Sequence, residues 1–123
     1  HLMTIILKLI IGFGLLNVWL RRFNISTPYR GGDAQNMHEE FKNYGLPVNF
    51  MYLIGSFKVI LAVILILSIF LNLSKIVYLG VLMLAFVMVG SILMHLKIKD
   101  PLDKSGPAIL MLLMSVALLF LIG

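Results

Sequence analysis

The sequence predicts an all-α fold: a four-helix transmembrane bundle with a short amphipathic interfacial helix between the first and second spans. Three observations lead there. Of the 123 residues, 61% are apolar and only 12% charged, against about 45–50% and about 25% in soluble domains. The apolar residues gather into four runs near the length of a membrane-spanning helix. The polar ones gather mainly into a single segment, residues 21–49. A small globule buries only about two-thirds of the surface its chain exposes, so this apolar excess calls for lipid as solvent. A soluble enzyme, a disordered chain and a nucleic-acid module are excluded.

The spans are placed at about 4–20, 50–71, 76–96 and 107–122 within one membrane domain, residues 3–123. Crossing a hydrocarbon core of about 30 Å takes about 20 helical residues. The middle two spans meet that length, and the outer two are short enough to suggest trimmed chain ends. Leu-, Ile- and Val-rich runs without alternation fit helices and not barrel strands. The first run lacks a small-residue cleavage site, since Trp19-Leu20-Arg21-Arg22 follows it, so it reads as a span and not a signal peptide. His1-Leu2 ahead of Met3 reads as a cloning remnant.

Asn72-Leu73-Ser74-Lys75 is so short a link that the second and third spans must form an antiparallel hairpin. Asp100-Pro101 and Gly106-Pro107 mark the end of the third span and the start of the fourth. The first and third loops then share one side and hold Arg21, Arg22, Arg30, Lys42, Lys97, Lys99 and Lys104. The other side offers Lys75 and a snorkelling Lys8. This bias places the first and third loops in the cytoplasm and the termini outside, in a multi-pass protein of the cell's inner or plasma membrane. The +5 net charge is therefore a topology signal. The expected partners are the lipid bilayer and another membrane protein or a second copy, with no nucleic acid.

Within the polar segment, residues 34–44 read as a helix of about three turns. Asp33 is its expected N-cap, Gly45 its C′ residue, and Pro47 stops the chain. Ala34, Met37, Phe41 and Tyr44 make one apolar stripe, which lays the helix in the membrane interface. It either caps the bundle or forms a lid, with Met37, Glu39, Glu40, Phe41 and Tyr44 as the lid residues.

Polar side chains inside spans need a reason, because a charge at membrane depth costs about 2.5–3.5 kcal/mol or more. Lys58 either snorkels to the interface or faces the bundle interior. No span contains an acid, so an interior Lys58 needs a carboxylate folding in from a loop, or an anionic ligand. Asn17, Ser91, His95 and Ser115 fall in the same half of the bilayer as Lys58. The five are candidate walls of a polar cavity open towards the first and third loops; alternatively each bonds a neighbouring helix separately. His95 reads as an interfacial anchor or as a proton relay. Trp19, Tyr52 and Tyr78 read as interface anchors. The absence of cysteine excludes disulfides and thiolate-held metals. No metal site and no cofactor is predicted, and a quinone or a lipid is the candidate ligand.

The run Met37-His-Glu-Glu-Phe-Lys-Asn-Tyr-Gly-Leu-Pro47, followed by Phe50-Met-Tyr-Leu-Ile-Gly55, resembles the loop and second-span entry of DoxX-like membrane proteins. Gly90-Ser-Ile-Leu-Met-His95-Leu, then Lys99-Asp100 and Pro107-Ala108, resembles that family's third-span end and fourth-span start. The resemblance implies a small four-helix integral membrane protein. The wider group includes a subunit associated with thiosulfate:quinone oxidoreduction, proteins linked to oxidative stress and methylamine utilisation, and a receptor-assembly chaperone. Those roles differ, so family membership does not fix one. Lys58 takes a place where members of the family commonly carry Glu, whereas His95 keeps the family pattern.

Three functions follow as candidates. The first is a non-catalytic accessory or assembly subunit, favoured by small size and the lack of a nucleophile–base or metal constellation. The second is a quinone- or lipid-binding component of a membrane oxidoreductase system. The third is a small anion or solute transporter acting as an oligomer. Enzymatic activity is left open, with the balance against it.

Overall fold

The computed structural model describes residues 2–123. Every regular element among the described residues is helical. Four helical stretches are long and apolar enough to cross a membrane: Leu2–Arg21, Val48–Leu67, Ser74–Lys97 and Leu102–Ile122.

Helix α1, Leu2–Leu16, continues into a single π turn over Asn17–Arg21. Its buried face carries Leu7, Ile11, Leu15 and Trp19, one residue in four. Four residues exceed the 3.6 of an α-helical turn, so such a stripe drifts around a regular helix. The wider turn, closed by Arg22 N–H donating to the Asn17 carbonyl at 2.9 Å, takes up the drift and keeps Trp19 inward. Trp19 is thus a buried residue, 7% exposed, and not the interface anchor its place at a span end suggests. Tyr52 and Tyr78 are exposed.

Helix α2 runs over Met37–Tyr44, three residues shorter at its start than the expected 34–44. Asn36, not Asp33, is the N-cap. Its side-chain oxygen accepts from Glu39 N–H at 2.9 Å, and the Glu39 carboxylate reaches back to Gln35 N–H at 3.2 Å and Asn36 Nδ2 at 3.1 Å. This reciprocal capping outcompetes a start at Asp33. Gly45 ends the helix in the left-handed conformation, φ 78°, which glycine adopts without penalty. The stripe Ala34, Met37, Phe41 and Tyr44 is buried, although Ala34 precedes the helix.

Helix α3, Val48–Leu67, starts directly after Pro47, and α4, Ser74–Lys97, returns antiparallel to it. A short 3₁₀ turn over Leu102–Ser105 leads into α5, Gly106–Ile122, with Pro107 in its first turn. Helix α4 packs most closely on α5, and α1 on α3. Lipid removes the water that drives apolar burial, so close packing decides such contacts. Gly12 serves this on α1: a Cβ there would sit 3.3 Å from the Ala62 carbonyl oxygen.

The packed interior has two parts. Towards the α3–α4 hairpin, Ile11, Leu61, Leu65, Val81, Leu84 and Leu118 join α1, α3, α4 and α5. At the other end Trp19, Met37, Phe41 and Met51 join α1, α2 and α3. Helices α3 and α4 meet towards the hairpin, where Leu61 lies so close to Gly80 that an added Cβ would come within 2.5 Å of it. Along their whole length they touch less than α4 and α5 or α1 and α3 do.

The first and third loops are tied together at one end of the bundle. Gly32 N–H donates to both Asp100 carboxylate oxygens, at 3.0 and 3.2 Å. Lys104 Nζ donates to the Gly32 carbonyl. Lys97 Nζ donates to the Tyr44 carbonyl at 3.0 Å.

Candidate functional site

A cavity of about 710 Å³ lies between the two packed regions, within the roughly 300–1,000 Å³ typical of ligand pockets. Its walls are the end of α1 and the π turn (Leu15 to Trp19), α3 from its start to its middle (Phe50, Ile54, Lys58), the second half of α4 (Phe86 to His95) and the start of α5 (Pro107, Ala108, Met111). Helix α2 covers it with Met37, Glu40, Phe41 and Tyr44. The lining residues of α4 lie on its half remote from the hairpin, and those of α3 run from its start to its middle. Phe86, which lines the cavity on α4, is 72% exposed.

Four of the five candidate wall residues line this space: Lys58, His95, Asn17 and Ser91. Ser115 does not. It is fully buried and its hydroxyl donates back to the Met111 carbonyl at 2.8 Å, one turn earlier on the same helix. Equal depth in a span does not mean an equal facing, and α5 turns Ser115 into the packed core. Among the lid residues Glu39 departs from expectation: it is spent on capping the start of α2 and points away from the cavity.

Lys58 faces the bundle interior, about 15 Å along α3 from Val48, and its side chain is only 9% exposed. Its ammonium lies 5.4 Å from the centre of the Trp19 ring, a cation–π arrangement. Gly55, one turn earlier, makes room for that ring: a Cβ there would fall 2.6 Å from Trp19 Cε3. No ion pair among the described residues includes Lys58.

The loop end of the cavity holds a connected polar network. His95 Nδ1 lies 2.7 Å from Asp100 Oδ2, and His95 Nε2 lies 3.3 Å from the Tyr44 hydroxyl. That hydroxyl is also 3.3 Å from Glu40 Oε1. Glu40 takes further donors from Gly31 N–H at 2.8 Å and from Arg30 at 3.4 Å. Asp100 is held in position because Lys99 adopts a left-handed backbone, φ 59°, which folds the chain back beneath the end of α4.

Proton positions follow from these partners. An ionised Asp100 only accepts, so His95 Nδ1 carries a proton. In the neutral ring Nε2 is then an acceptor, and it competes with Glu40 for the single Tyr44 proton. In the imidazolium both ring nitrogens donate, Tyr44 turns its proton to Glu40, and every bond in the chain is satisfied at once. Burial holds the Tyr44 phenol well above its ordinary pKa, reinforced by the Glu40 charge and hydrogen bond. Tyr44 therefore stays a proton donor across the physiological range.

A family model matches residues 31–118, from the first loop into α5. The chain belongs to the DoxX-like family. The match spans Glu40, Tyr44, Lys58, His95 and Asp100; Trp19 precedes it. No curated protein and no solved structure matches the chain.

Four residues of this DoxX-like site escape a sequence reading. Trp19 looks like an anchor, yet it is the floor beneath Lys58. Arg30 looks like one more loop charge, but it is 4% exposed. Its guanidinium donates to the carbonyls of Arg22, Phe23 and Ile25, and to Glu40. Asp100 and Lys104 look like solvated loop residues. The four-residue stripe Leu7–Ile11–Leu15–Trp19 was the one legible signal among these. His38 and His95 keep separate partners, since His38 Nε2 is 3.3 Å from the Tyr52 hydroxyl.

Proposed function

We propose that this DoxX-like membrane protein is a ligand-binding subunit with no bond-making chemistry of its own, whose cavity takes an amphiphile of the quinone or lipid class from the bilayer. The observation that carries the reading is the distribution of groups around the cavity. Apolar residues line the gap between α3 and α4, while Lys58, Tyr44 and His95 stand where an oxygen-bearing head would lie. A tail left in lipid and a head drawn inside suit that division. The surplus of Lys and Arg on the first and third loops supports placing this end of the bundle in the cytoplasm.

Gly90 provides the test. It lines the cavity on α4, and a Cβ added there meets nothing within 4 Å. Gly90→Phe should fold normally and fill the space. Thermal unfolding in detergent, with a short-chain quinone or an added phospholipid, should show a saturable rise for the parent and none for the variant. Ligand at about a hundred times its Kd contributes about 2.7 kcal/mol, enough to read. An equal rise in both proteins, or none in the parent, would reject the reading.

A further inference from the structure

The cavity carries a marked charge imbalance. Its lining holds four cationic side chains, Arg22, Arg30, Lys58 and Lys104, and one carboxylate, Glu40. That carboxylate is already committed: Arg30, Gly31 N–H and the Tyr44 hydroxyl all converge on it. Lys104 is bonded to the Gly32 carbonyl and stands 3.9 Å from Asp100. Lys58 has no such partner. It is more than nine-tenths buried, belongs to no ion pair among the described residues, and lies in the cavity wall over Trp19. A buried charge is costly unless it is paired and hydrogen-bonded, and an aromatic face offers only part of that compensation. An anion in the cavity would supply the rest.

The rest of the cavity says what kind of anion. Phe50 and Ile54 of α3 and Phe86 and Met94 of α4 line the space beside Lys58, and they would exclude a small hydrated ion while accepting a hydrocarbon chain. We propose that the cavity binds an acidic lipid, whose anionic head group pairs with the Lys58 ammonium while its acyl chain leaves between α3 and α4. This rests on the ligand-binding reading above and narrows it. The head enters from the bilayer side, Lys58 selects it by charge, and Trp19 packs against the ammonium from the opposite face. A zwitterionic lipid of equal length carries a cation that already offsets its own phosphate, so it would compensate Lys58 less and bind less well.

Trp19 is the only tryptophan in the chain, which makes its fluorescence a site-specific reporter. The protein is reconstituted in phosphatidylcholine vesicles that carry either brominated phosphatidylglycerol or brominated phosphatidylcholine, over the same series of mole fractions. Bromine on the acyl chain quenches the ring only at close range. For the parent, phosphatidylglycerol should reach half-maximal quenching at about one-tenth the mole fraction that phosphatidylcholine needs, a ratio of the order of one charge-assisted hydrogen bond that a choline cation does not offset. Lys58→Met should erase the ratio, and Lys58→Arg should retain most of it. Each ratio is internal to one variant, so a change in Trp19 brightness does not disturb it.

Equal quenching of the parent by both lipids would overturn the acidic-lipid assignment while leaving the amphiphile reading intact. So would a phosphatidylglycerol preference that survives in Lys58→Met. Displacement of the phosphatidylglycerol signal by millimolar inorganic phosphate would assign the site to a free anion instead of a lipid. Absence of quenching by either lipid would overturn both readings together.

Discussion

His95 Nδ1 and Asp100 Oδ2 stand 2.7 Å apart, both side chains almost fully buried. Asp100 also receives the Gly32 amide from the first loop, so one carboxylate orients the histidine and joins the two loops. Asp100→Asn keeps the shape but loses the charge and turns a donor towards groups that themselves donate. A charge-assisted hydrogen bond contributes about 1.5–3 kcal/mol, and the variant should be destabilised by about that amount. Hydrogen exchange at the Gly32 amide should quicken at the same time. Unchanged exchange there would show that the loops are held without Asp100.

Tyr44 supplies a pH dependence whose sign is fixed. Its phenol pKa lies above the ordinary value of about 10, because burial and the Glu40 charge both disfavour the phenolate. Below that pH the folded and unfolded chains both hold the proton, and pH acts little through this group. Above it the unfolded chain releases the proton while the folded chain retains it, so stability falls as pH rises. Tyr44→Phe should be less stable at neutral pH by about 1–3 kcal/mol, since Glu40 and His95 lose a partner. It should also show a shallower decline between pH 10 and 11. Unfolding midpoints in detergent for both proteins measure both effects; parallel pH curves would contradict the account.

Gly55 and Trp19 share one space, and a Cβ at residue 55 would lie 2.6 Å from two ring carbons. The indole is broad and boxed in by Phe23 and Phe41, so it yields poorly. Gly55→Ala should cost about 1–3 kcal/mol through overpacking, despite the better helix propensity of alanine. The emission of Trp19 should shift as the ring leaves Lys58. A variant as stable as the parent, with unshifted emission, would refute the packing.

Orientation is a separate proposal and needs a separate probe. Ser26 is exposed on the first loop, and the chain has no native cysteine. In right-side-out membrane vesicles Ser26→Cys should resist a membrane-impermeant thiol reagent until the vesicles are opened. Labelling of intact vesicles would invert the topology.

The spans were legible because lipid imposes a long, uniform apolar run on any helix that crosses it. Lys58 was legible for the complementary reason: a charge in such a run is costly and stands out. What composition and spacing leave undetermined is facing. Ser115 and Lys58 share a depth, but only the packing of α5 shows that Ser115 bonds its own backbone. Arg30 and Asp100 were hidden by the ordinary rule that loop charges are solvated; a tertiary tie between two loops far apart in sequence has no local pattern. Spacing alone does not fix the start of α2, because Asp33 and Asn36 are both good caps and the Glu39 side chain decides between them.

The central claim is that an amphiphile from the bilayer enters the space beside Trp19. Its most direct measurement is quenching of Trp19 fluorescence by a brominated acyl chain, compared between the parent and Gly90→Phe in the same vesicles. Quenching should saturate in the parent and be lost when the phenyl ring fills the cavity. Equal quenching in both proteins would show that lipid reaches Trp19 from outside the bundle, and would contradict it.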